Sequence, residues 1–419
     1  MIDLDELRQR FSDCPCGKKH EITLKNLHSA RGLLKETGNL LASDGFPKKV
    51  LLVSDKNCLA ASDGIEDVLK AAGFEITTKI YDNLRVAAIT EVERLMALSE
   101  SLDGIISVGT GSLNDICRLA AARGNKKLAI FATAPSMDGF ASNNAPIITG
   151  CFKETLTAKQ PDVLIADWDI LAKSPAELKS AGFGDMLGKY IGIADWRISN
   201  LISGEYYCER VAQLTRDGVA KIAALCDRVT ANDPEAAGAI FEALLMTGIG
   251  MQLAGCSRPA SGTEHTMSHD WDCKKLAQGK IPHYHGKDVG IATLIIAKEY
   301  HKMIEHEEVF PKKEQVNWEN VRAAYGELLW PDVERLNFPN VLDSVEPDAL
   351  KENWQAIRQI VREEVPTPEE LQDIMERAGA AENPEDSDID SKLYTEALKY
   401  HTYMRHRISL IRLRDMLGI

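Results

Sequence analysis

The sequence lacks both a long hydrophobic run and an excess of positive charge. None of its apolar stretches approaches the roughly eighteen residues that a membrane-spanning helix needs. Residues 1–6 are acidic, which is not typical of a secretory signal peptide. The 419 residues carry a formal net charge of −14, and such a surface attracts neither nucleic acid nor an anionic membrane. We therefore expect a cytoplasmic protein without nucleic-acid or stable membrane partners; a local cationic pocket for a small anion is compatible with this net charge.

The nine cysteines lack the spacing of a disulfide framework. They are odd in number and spread from Cys14 to Cys273, which predicts reduced thiols in a cytosolic compartment. Cys14, Cys16 and His20 look like one half of a zinc ribbon, but no second CxC or CxxC motif follows. We interpret this segment as an N-terminal turn rather than as a metal site.

The chain also lacks the usual dinucleotide fingerprint, in which G-x-G-x-x-G is followed about 20 residues later by an acid. Its glycine loop reads G-T-G-S-L-N-D at residues 109–115, and Asp55, the acid that could hold a ribose hydroxyl, precedes it. Small residues there would let backbone N–H groups approach a phosphate. Because glycines also end strands for conformational reasons, the loop indicates a nucleotide site only together with the hydroxyl-rich segment 133–142.

From residue 48 onward, strands and helices alternate regularly. Apolar runs predict strands at 49–54, 75–81, 104–108 and 128–132, separated by helices over 64–72, 88–98 and 113–122. Such alternation is typical of a parallel, doubly wound sheet, which binds ligands outside the carboxyl ends of its strands. Residues 146–150 and 162–166 predict an antiparallel appendix with a hairpin between them.

After Asp169 only helical periodicity remains. We therefore predict an α/β fold, an N-terminal doubly wound parallel sheet followed by an all-α C-terminal part. The expected domains are a dinucleotide-binding domain over residues 1–170 and a helical metal- and substrate-binding domain over residues 171–419.

Four histidines crowd into one short stretch, namely His265, His269, His283 and His285. If residues 261–272 are helical, the first two lie one turn apart on one face, and a second helix beginning near His285 could return it to the same point. Imidazole is a common ligand of divalent cations, and a catalytic site typically adds a third ligand. Asp185, flanked by glycines, is a candidate for that ligand; the alternative is that it caps the start of a helix.

Arginine side chains are candidates for binding a small anion. Arg258 could hold a phosphate, since its fork suits that group, or it could be structural. The arginines of a terminal helix expected over residues 403–417 are predicted to lie on an exposed face or an interface; they are Arg405, Arg407, Arg412 and Arg414.

Five motifs in this order resemble those of bacterial sn-glycerol-1-phosphate dehydrogenases. They are G-T-G-S-L-N-D at 109–115, T-A-P-S-M-D-G-F-A-S at 133–142, G-F-G-D-M-L-G-K at 182–189, S-R-P-A-S-G-T-E-H-T-M-S-H at 257–269 and H-G-K-D-V-G at 285–290. That family belongs with glycerol dehydrogenase and dehydroquinate synthase among the iron-alcohol-dehydrogenase-like folds. The resemblance covers roughly residues 20–300.

The resemblance implies a role for each matched residue. Asp185, His265 and His285 match the metal ligands, with His283 a rival to His285, and Asp138 and His269 match substrate contacts, to which Asp185 also lies close. The matched dinucleotide contacts are Asp55, Gly111, Ser112, Leu113, Asn114, Asp115, Thr133, Ala134, Pro135, Ser136 and Ser142. The implied cofactors are NAD or NADP and one divalent metal ion, nickel in preference to zinc, and the implied assembly is a homodimer.

The implied reaction is the reversible reduction of dihydroxyacetone phosphate to sn-glycerol 1-phosphate, for phospholipid backbone synthesis. Asp55 would repel a 2′-phosphate and so favours NAD, an argument that the neighbouring Lys56 weakens. Three alternatives stay open: a polyol dehydrogenase acting on unphosphorylated glycerol, a lyase of the dehydroquinate synthase kind, and a non-catalytic protein that binds metal or nucleotide.

Overall fold

The computed structural model describes residues 2–419 and begins with an α/β part. Its strands are β1 (Asn26–Ala30), β2 (Lys49–Asp55), β3 (Glu75–Tyr81), β4 (Gly104–Gly109), β5 (Lys127–Ala132), β6 (Asn144–Thr149), β7 (Phe152–Thr157) and β8 (Val163–Asp167). The helices of this part are α1 (Leu4–Phe11), α2 (Thr37–Ser43), α3 (Lys56–Ala61), α4 (Ile65–Ala71), α5 (Ile89–Leu98), α6 (Ser112–Arg123) and α7 (Trp168–Lys173).

Six strands form one parallel sheet in the order β1-β8-β5-β4-β2-β3. The central strands are buried along nearly their whole length because helices cover both faces of the sheet, which explains their continuous apolar sequences. The strands end together at one edge, where Ser54 pairs with Val108 and Gly109 with Ala132. The doubly wound parallel sheet predicted from the sequence is therefore confirmed, with its loops at this edge.

The predicted antiparallel appendix is wrong in one of its two strands. β6 pairs with β7, whereas β8 lies between β1 and β5 in the main sheet. The burial of the two segments gives the physical reason. All five residues of β8 are buried, as suits a strand covered on both faces, while β7 has only Phe152 fully buried. The edge strand β1 was not predicted, since Asn26–Ala30 contains too few apolar residues to stand out.

Helices make up the regular structure after β8. They are α8 (Ala176–Ser203), α9 (Glu209–Ala223), α10 (Pro234–Ala254), α11 (Thr263–Ala277), α12 (His285–Met303), α13 (Trp318–Asn337), α14 (Pro347–Glu364), α15 (Pro368–Arg377), α16 (Ser391–Tyr400) and α17 (Leu410–Leu417). The expected division at residue 170 stays a prediction.

Two long helices form the centre of this helical part. α8 and α12 pack along each other, and their apolar side chains share one core with α14 and α17. α10 is apolar and long enough to cross a membrane by composition alone, but 83% of its most apolar window is buried inside the protein. It is a core helix in this structure, packed against α9 and α7.

Candidate active site

One cleft connects the carboxyl edge of the sheet with the helical part of the chain. Residues from the glycine loop and from the histidine cluster line the same space, including Asp55, Gly111, Ser112, Ser136, Asp138, His265, His269 and His285. A ligand bound at the sheet edge would therefore extend directly towards the histidines.

Three candidate metal ligands converge at this cleft, two of them, His265 and His285, in its lining. Asp185 lies within α8, His265 on α11, and His285 is the first residue of α12. One ligand atom from each lies within 4.8 Å of the others, and Nε2 of His265 is 3.3 Å from Oδ1 of Asp185. The helix start expected at His285 is confirmed. The capping alternative for Asp185 is wrong, because α8 begins nine residues earlier, at Ala176.

The donor set fits a divalent cation. Nδ1 of His265 donates to Oε1 of Glu264 at 2.6 Å, which leaves the lone pair of Nε2 facing the Asp185 carboxylate. Two acceptors 3.3 Å apart need a cation or a proton between them. Nδ1 of His285 is also buried and finds no hydrogen-bond partner within residues 2–419. A carboxylate behind a ligating imidazole, here Glu264, is the usual device for orienting such a ligand.

Lys189 bridges the carboxyl groups of Asp138 and Asp185. Its Nζ lies 2.7 Å from Oδ1 of Asp185, one turn earlier on α8, and 2.7 Å from Oδ2 of Asp138. Burial alone would raise the pKa of Asp185, but Lys189 and His265 hold it well below its usual range, so this side chain is ionised. The pKa of Asp138 is raised by burial and by the neighbouring Asp185.

Two histidines of the cleft, His269 and His285, are neutral. Burial, with the nearby charge of Lys153, lowers the pKa of both His269 and His285 well below the ordinary value. Nη2 of Arg405 donates to Nδ1 of His269 at 2.7 Å. Because a guanidinium only donates, Nδ1 is the acceptor, and the neutral ring carries its hydrogen on Nε2. His269 therefore presents an N–H donor to the cleft.

Two glycines explain why the sequence places Asp185 beside His285. A Cβ on Gly182 would meet the Pro135 carbonyl oxygen at 1.9 Å, and one on Gly286 would meet the Ala181 oxygen at 2.0 Å. α8 can thus pack directly against the loop after β5 and the start of α12.

The sequence-predicted dinucleotide contacts divide into two groups. Those that line the cleft are Asp55, Gly111, Ser112, Asp115, Ser136 and Ser142, and those outside its lining are Leu113, Asn114, Thr133, Ala134 and Pro135. Asn114 is fully buried and bonds Ser107 and the Gly109 carbonyl, so it shapes the loop. Asp55 accepts from the Cys58 amide at the start of α3.

His283 does not belong to the metal cluster. Its Nε2 is 2.9 Å from Oδ2 of Asp388, and the pair lies towards the surface. His285 is therefore the only one of the two rivals that the structure brings to Asp185 and His265.

The expectation of an exposed face is wrong for Arg405, Arg407 and Arg412, and the alternative of an interface stays a prediction. Arg412 is 3% exposed and pairs with Glu314, while Arg405 and Arg407 line the cleft together with Lys153. These two arginines precede α17, and Arg405 has extended backbone (φ −144°, ψ 143°). In an extended chain the side chains of residues i and i+2 lie on the same side. The R-H-R spacing of residues 405–407 was therefore the sequence signal that Arg405 and Arg407 face the same way.

Arg258 does not reach the cleft lining. It is 3% exposed, and its guanidinium bonds Glu205 and the Ile408 carbonyl. These contacts support a structural role for Arg258. Through the Ile408 carbonyl it holds the segment that contains Arg405 and Arg407.

Comparison with known proteins places this arrangement in a family. The family model for iron-containing alcohol dehydrogenases matches residues 28–175. Glycerol-1-phosphate dehydrogenase (NAD(P)+) of Halalkalibacterium halodurans is 31% identical over 304 residues, which cover 71% of this chain and 76% of the relative. The chain belongs to the glycerol-1-phosphate dehydrogenase family of iron-containing alcohol dehydrogenases. Glycerol-1-phosphate dehydrogenase (NAD(P)+) of Geobacillus stearothermophilus is 29% identical over 416 residues, which cover 98% of this chain and 96% of the relative.

Solved structures show the fold of the family. The NADH-dependent butanol dehydrogenase A of Thermotoga maritima superposes with a TM-score of 0.63 at 14% identity, over 97% of this chain and 99% of that chain. A probable glycerol dehydrogenase from Sinorhizobium meliloti gives a TM-score of 0.55 at 19% identity, over 81% of this chain and 98% of that chain. The dehydroquinate-synthase-like fold implied by the family motifs is confirmed.

Proposed function

We propose that this chain reduces dihydroxyacetone phosphate to sn-glycerol 1-phosphate with NAD(P)H and a divalent metal ion. The observation that carries the proposal is the cleft itself. It unites the glycine loop of the sheet, a carboxylate and two imidazoles in ligand geometry, and a cationic wall. The curated relatives, named as glycerol-1-phosphate dehydrogenases, support the choice of this reaction among those of the superfamily.

The phosphate of the substrate is proposed to bind the wall formed by Lys153, Arg405 and Arg407. In the described residues 2–419 neither arginine has a carboxylate within ion-pair distance, although both face the cleft. Burial and the neighbouring Arg258 and Arg405 lower the pKa of Arg407 to about 10, so it is still a cation at neutral pH. An arginine fork suits phosphate oxygens, and buried cations that have neutral hydrogen-bond partners but no counter-charge are costly unless an anion joins them.

The bound cation would be held by Asp185, His265 and His285. When bound there, a divalent ion supplies a Lewis acid that polarises a ketone and stabilises the negative charge that develops on its oxygen. The N–H on Nε2 of His269 is placed to hydrogen-bond the substrate oxygens and so to stabilise the negative charge that develops on them. Asp138, held by Lys189, is placed to accept from a substrate hydroxyl.

Several finer assignments belong to the same proposal. Asp55 disfavours a 2′-phosphate, and Lys56 instead pairs with Asp82 at 2.6 Å, which supports NADH as the preferred donor. A set of one carboxylate and two imidazoles accepts nickel, zinc or iron; we keep nickel first and zinc second, as the family resemblance suggests. The homodimer and the cytoplasmic location remain predictions.

A second candidate follows from the basic lining of the cleft. The motif segments themselves contain mainly Arg258 and Lys189 as cations, but the folded chain also brings Lys153, Arg405 and Arg407 to the cleft. A lyase of the dehydroquinate synthase kind would need such residues for a substrate bearing both phosphate and carboxylate. The curated relatives favour the dehydrogenase.

The test is NADH oxidation by metal-depleted protein supplied with dihydroxyacetone phosphate, with nickel or zinc restored separately. Metal-dependent turnover of the phosphate ester, with little turnover of dihydroxyacetone, is expected. Equal turnover of dihydroxyacetone would favour a polyol dehydrogenase, and no turnover of either compound with any metal would refute the proposal.

A further inference from the structure

A second cluster of potential metal ligands lies outside the lining of the cleft. It consists of Cys14, Cys16 and His20 from the segment after α1, and Cys208, which directly precedes α9. One ligand atom from each of the four lies within 4.8 Å of the others. The fourth ligand that the sequence lacked is thus supplied by a residue 188 positions beyond His20.

The distances among the four atoms are close to those of a tetrahedral site. Sγ of Cys14 and Cys208 are 3.5 Å apart, and Nε2 of His20 is 3.1 Å from Sγ of Cys16 and 3.8 Å from Sγ of Cys208. With zinc–sulfur bonds of about 2.3 Å and zinc–nitrogen bonds of about 2.0 Å, tetrahedral ligand atoms lie about 3.5 to 3.8 Å apart. The cysteines are all free, so no disulfide accounts for this closeness.

The histidine of the cluster is prepared for coordination through Nε2. Its Nδ1 is 2.6 Å from the carbonyl oxygen of Leu253, on α10. A carbonyl only accepts, so Nδ1 carries the hydrogen, and the lone pair of Nε2 points at the thiols. A hydrogen bond from the far nitrogen to a backbone carbonyl is the arrangement that usually orients a metal-bound histidine.

We propose that Cys14, Cys16, His20 and Cys208 bind a structural thiophilic divalent ion, with zinc the best fit. Three thiolates and one imidazole leave no open position, so the site is suited to stability rather than catalysis. It would join the N-terminal segment to the start of α9 and, through the His20 hydrogen bond, to the end of α10. The core that holds Leu4, Leu7 and Phe11 lies next to it. Loss of the ion should loosen that segment.

Cobalt substitution distinguishes this site from the one in the cleft. The cleft ligands are oxygen and nitrogen atoms, so only the cysteine cluster can give an intense cobalt–thiolate charge-transfer band. We expect the band in the cobalt-loaded full-length protein, and we expect Cys16→Ser and Cys208→Ser to lose it together with one bound ion. Cys256→Ser, outside the cluster, and His265→Ala, in the cleft, should both keep the band.

Other outcomes would overturn the proposal. They are the absence of a thiolate band in the wild-type protein purified under reducing conditions, and a band of full intensity in Cys208→Ser. A thiol titration of the same wild-type sample that finds Cys14 and Cys208 joined as a disulfide would also overturn it. Metal analysis of each variant keeps the result independent of enzymatic activity and of the proposed reaction.

Discussion

The guanidinium of Arg405 donates to Nδ1 of His269 over 2.7 Å, although 136 residues separate the two in sequence. This contact assigns the hydrogen of the neutral imidazole to Nε2, on the side of the cleft. It also connects two parts of the proposed site. The guanidinium of Arg405 orients the N–H donor of His269, and Arg405 and Arg407 belong to the cationic wall proposed to bind the phosphate.

The first prediction concerns His269 itself. His269→Ala removes the N–H donor, and we expect kcat for dihydroxyacetone phosphate to fall about a hundredfold or more, as for loss of one hydrogen-bond donor to a developing oxyanion. His269→Gln can still accept from Arg405 and donate an N–H, so it should retain clearly more activity. Metal content should be unchanged in both. Equal kcat values for the two variants, or a wild-type kcat in His269→Ala, would contradict the assigned role.

The second prediction concerns the cationic wall. Arg407→Gln should raise KM for dihydroxyacetone phosphate about tenfold to a hundredfold, since a hydrogen bond to a charged group contributes about 1.5 to 3 kcal/mol. The slow turnover of unphosphorylated dihydroxyacetone should not change. Arg414→Gln, on α17 and bonded to the Leu398 carbonyl, is the control and should behave as wild type. A parallel loss with both substrates would indicate that Arg407 is only structural.

The third prediction concerns Lys189. Lys189→Met leaves the buried Asp138 and Asp185 without their cation, which should cost about 3 to 5 kcal/mol in the free energy of unfolding of the metal-free protein. A divalent ion can replace the missing charge, so metal should raise the melting temperature of this variant more than that of wild type.

The control for that experiment is Lys179→Met, on the same helix. Lys179 is also buried, but it bonds only backbone carbonyls, those of Ala172, Thr230 and Ala231. It should lose stability without a larger response to metal. If metal raised the melting temperatures of Lys189→Met and Lys179→Met equally, the charge argument would fail.

The fourth prediction concerns pH. Burial lowers the pKa of His401 from 6.5 to about 3 in the folded protein, and its Nδ1 donates to the Ala397 carbonyl. Between pH 6.5 and about pH 3 the unfolded chain therefore binds one proton more than the folded protein. The free energy of unfolding falls as the pH drops below 6.5. Relative to His401→Leu, the wild-type free energy of unfolding should fall by about 1.4 kcal/mol per pH unit in this window.

The exposed His306 supplies the comparison for that titration. His306→Leu, which removes a surface imidazole instead of the buried one, is the matched control and should follow the wild-type pH dependence. Denaturant unfolding between pH 7 and pH 4 measures all three proteins. A constant difference between wild type and His401→Leu across this range would show that His401 takes up its proton equally in the folded and unfolded states, and would contradict the lowered pKa.

Local patterns in the sequence were enough to predict much of the fold and the centre of the candidate site. The i, i+4 spacing of His265 and His269, and the helix start at His285, are consequences of helical geometry alone. The apolar runs of β2, β4 and β5 likewise reflect burial on both faces. These features depend on neighbours within one element, which a single sequence contains.

What the sequence could not provide were contacts between distant segments. Arg405 meets His269, and Cys208 meets Cys14, only because the packed helices bring them together. β8 has the composition of any buried strand, so its place beside β1 depends on the whole sheet. No local periodicity contains that information.

The central claim is tested most directly by the stereochemistry of the reverse reaction. Metal-loaded protein would be given NAD+ with sn-glycerol 1-phosphate, sn-glycerol 3-phosphate or glycerol, and NADH formation would be followed. We predict rapid oxidation of sn-glycerol 1-phosphate, much slower oxidation of glycerol and none of the 3-phosphate. Preferential oxidation of the 3-phosphate or of glycerol would contradict the account.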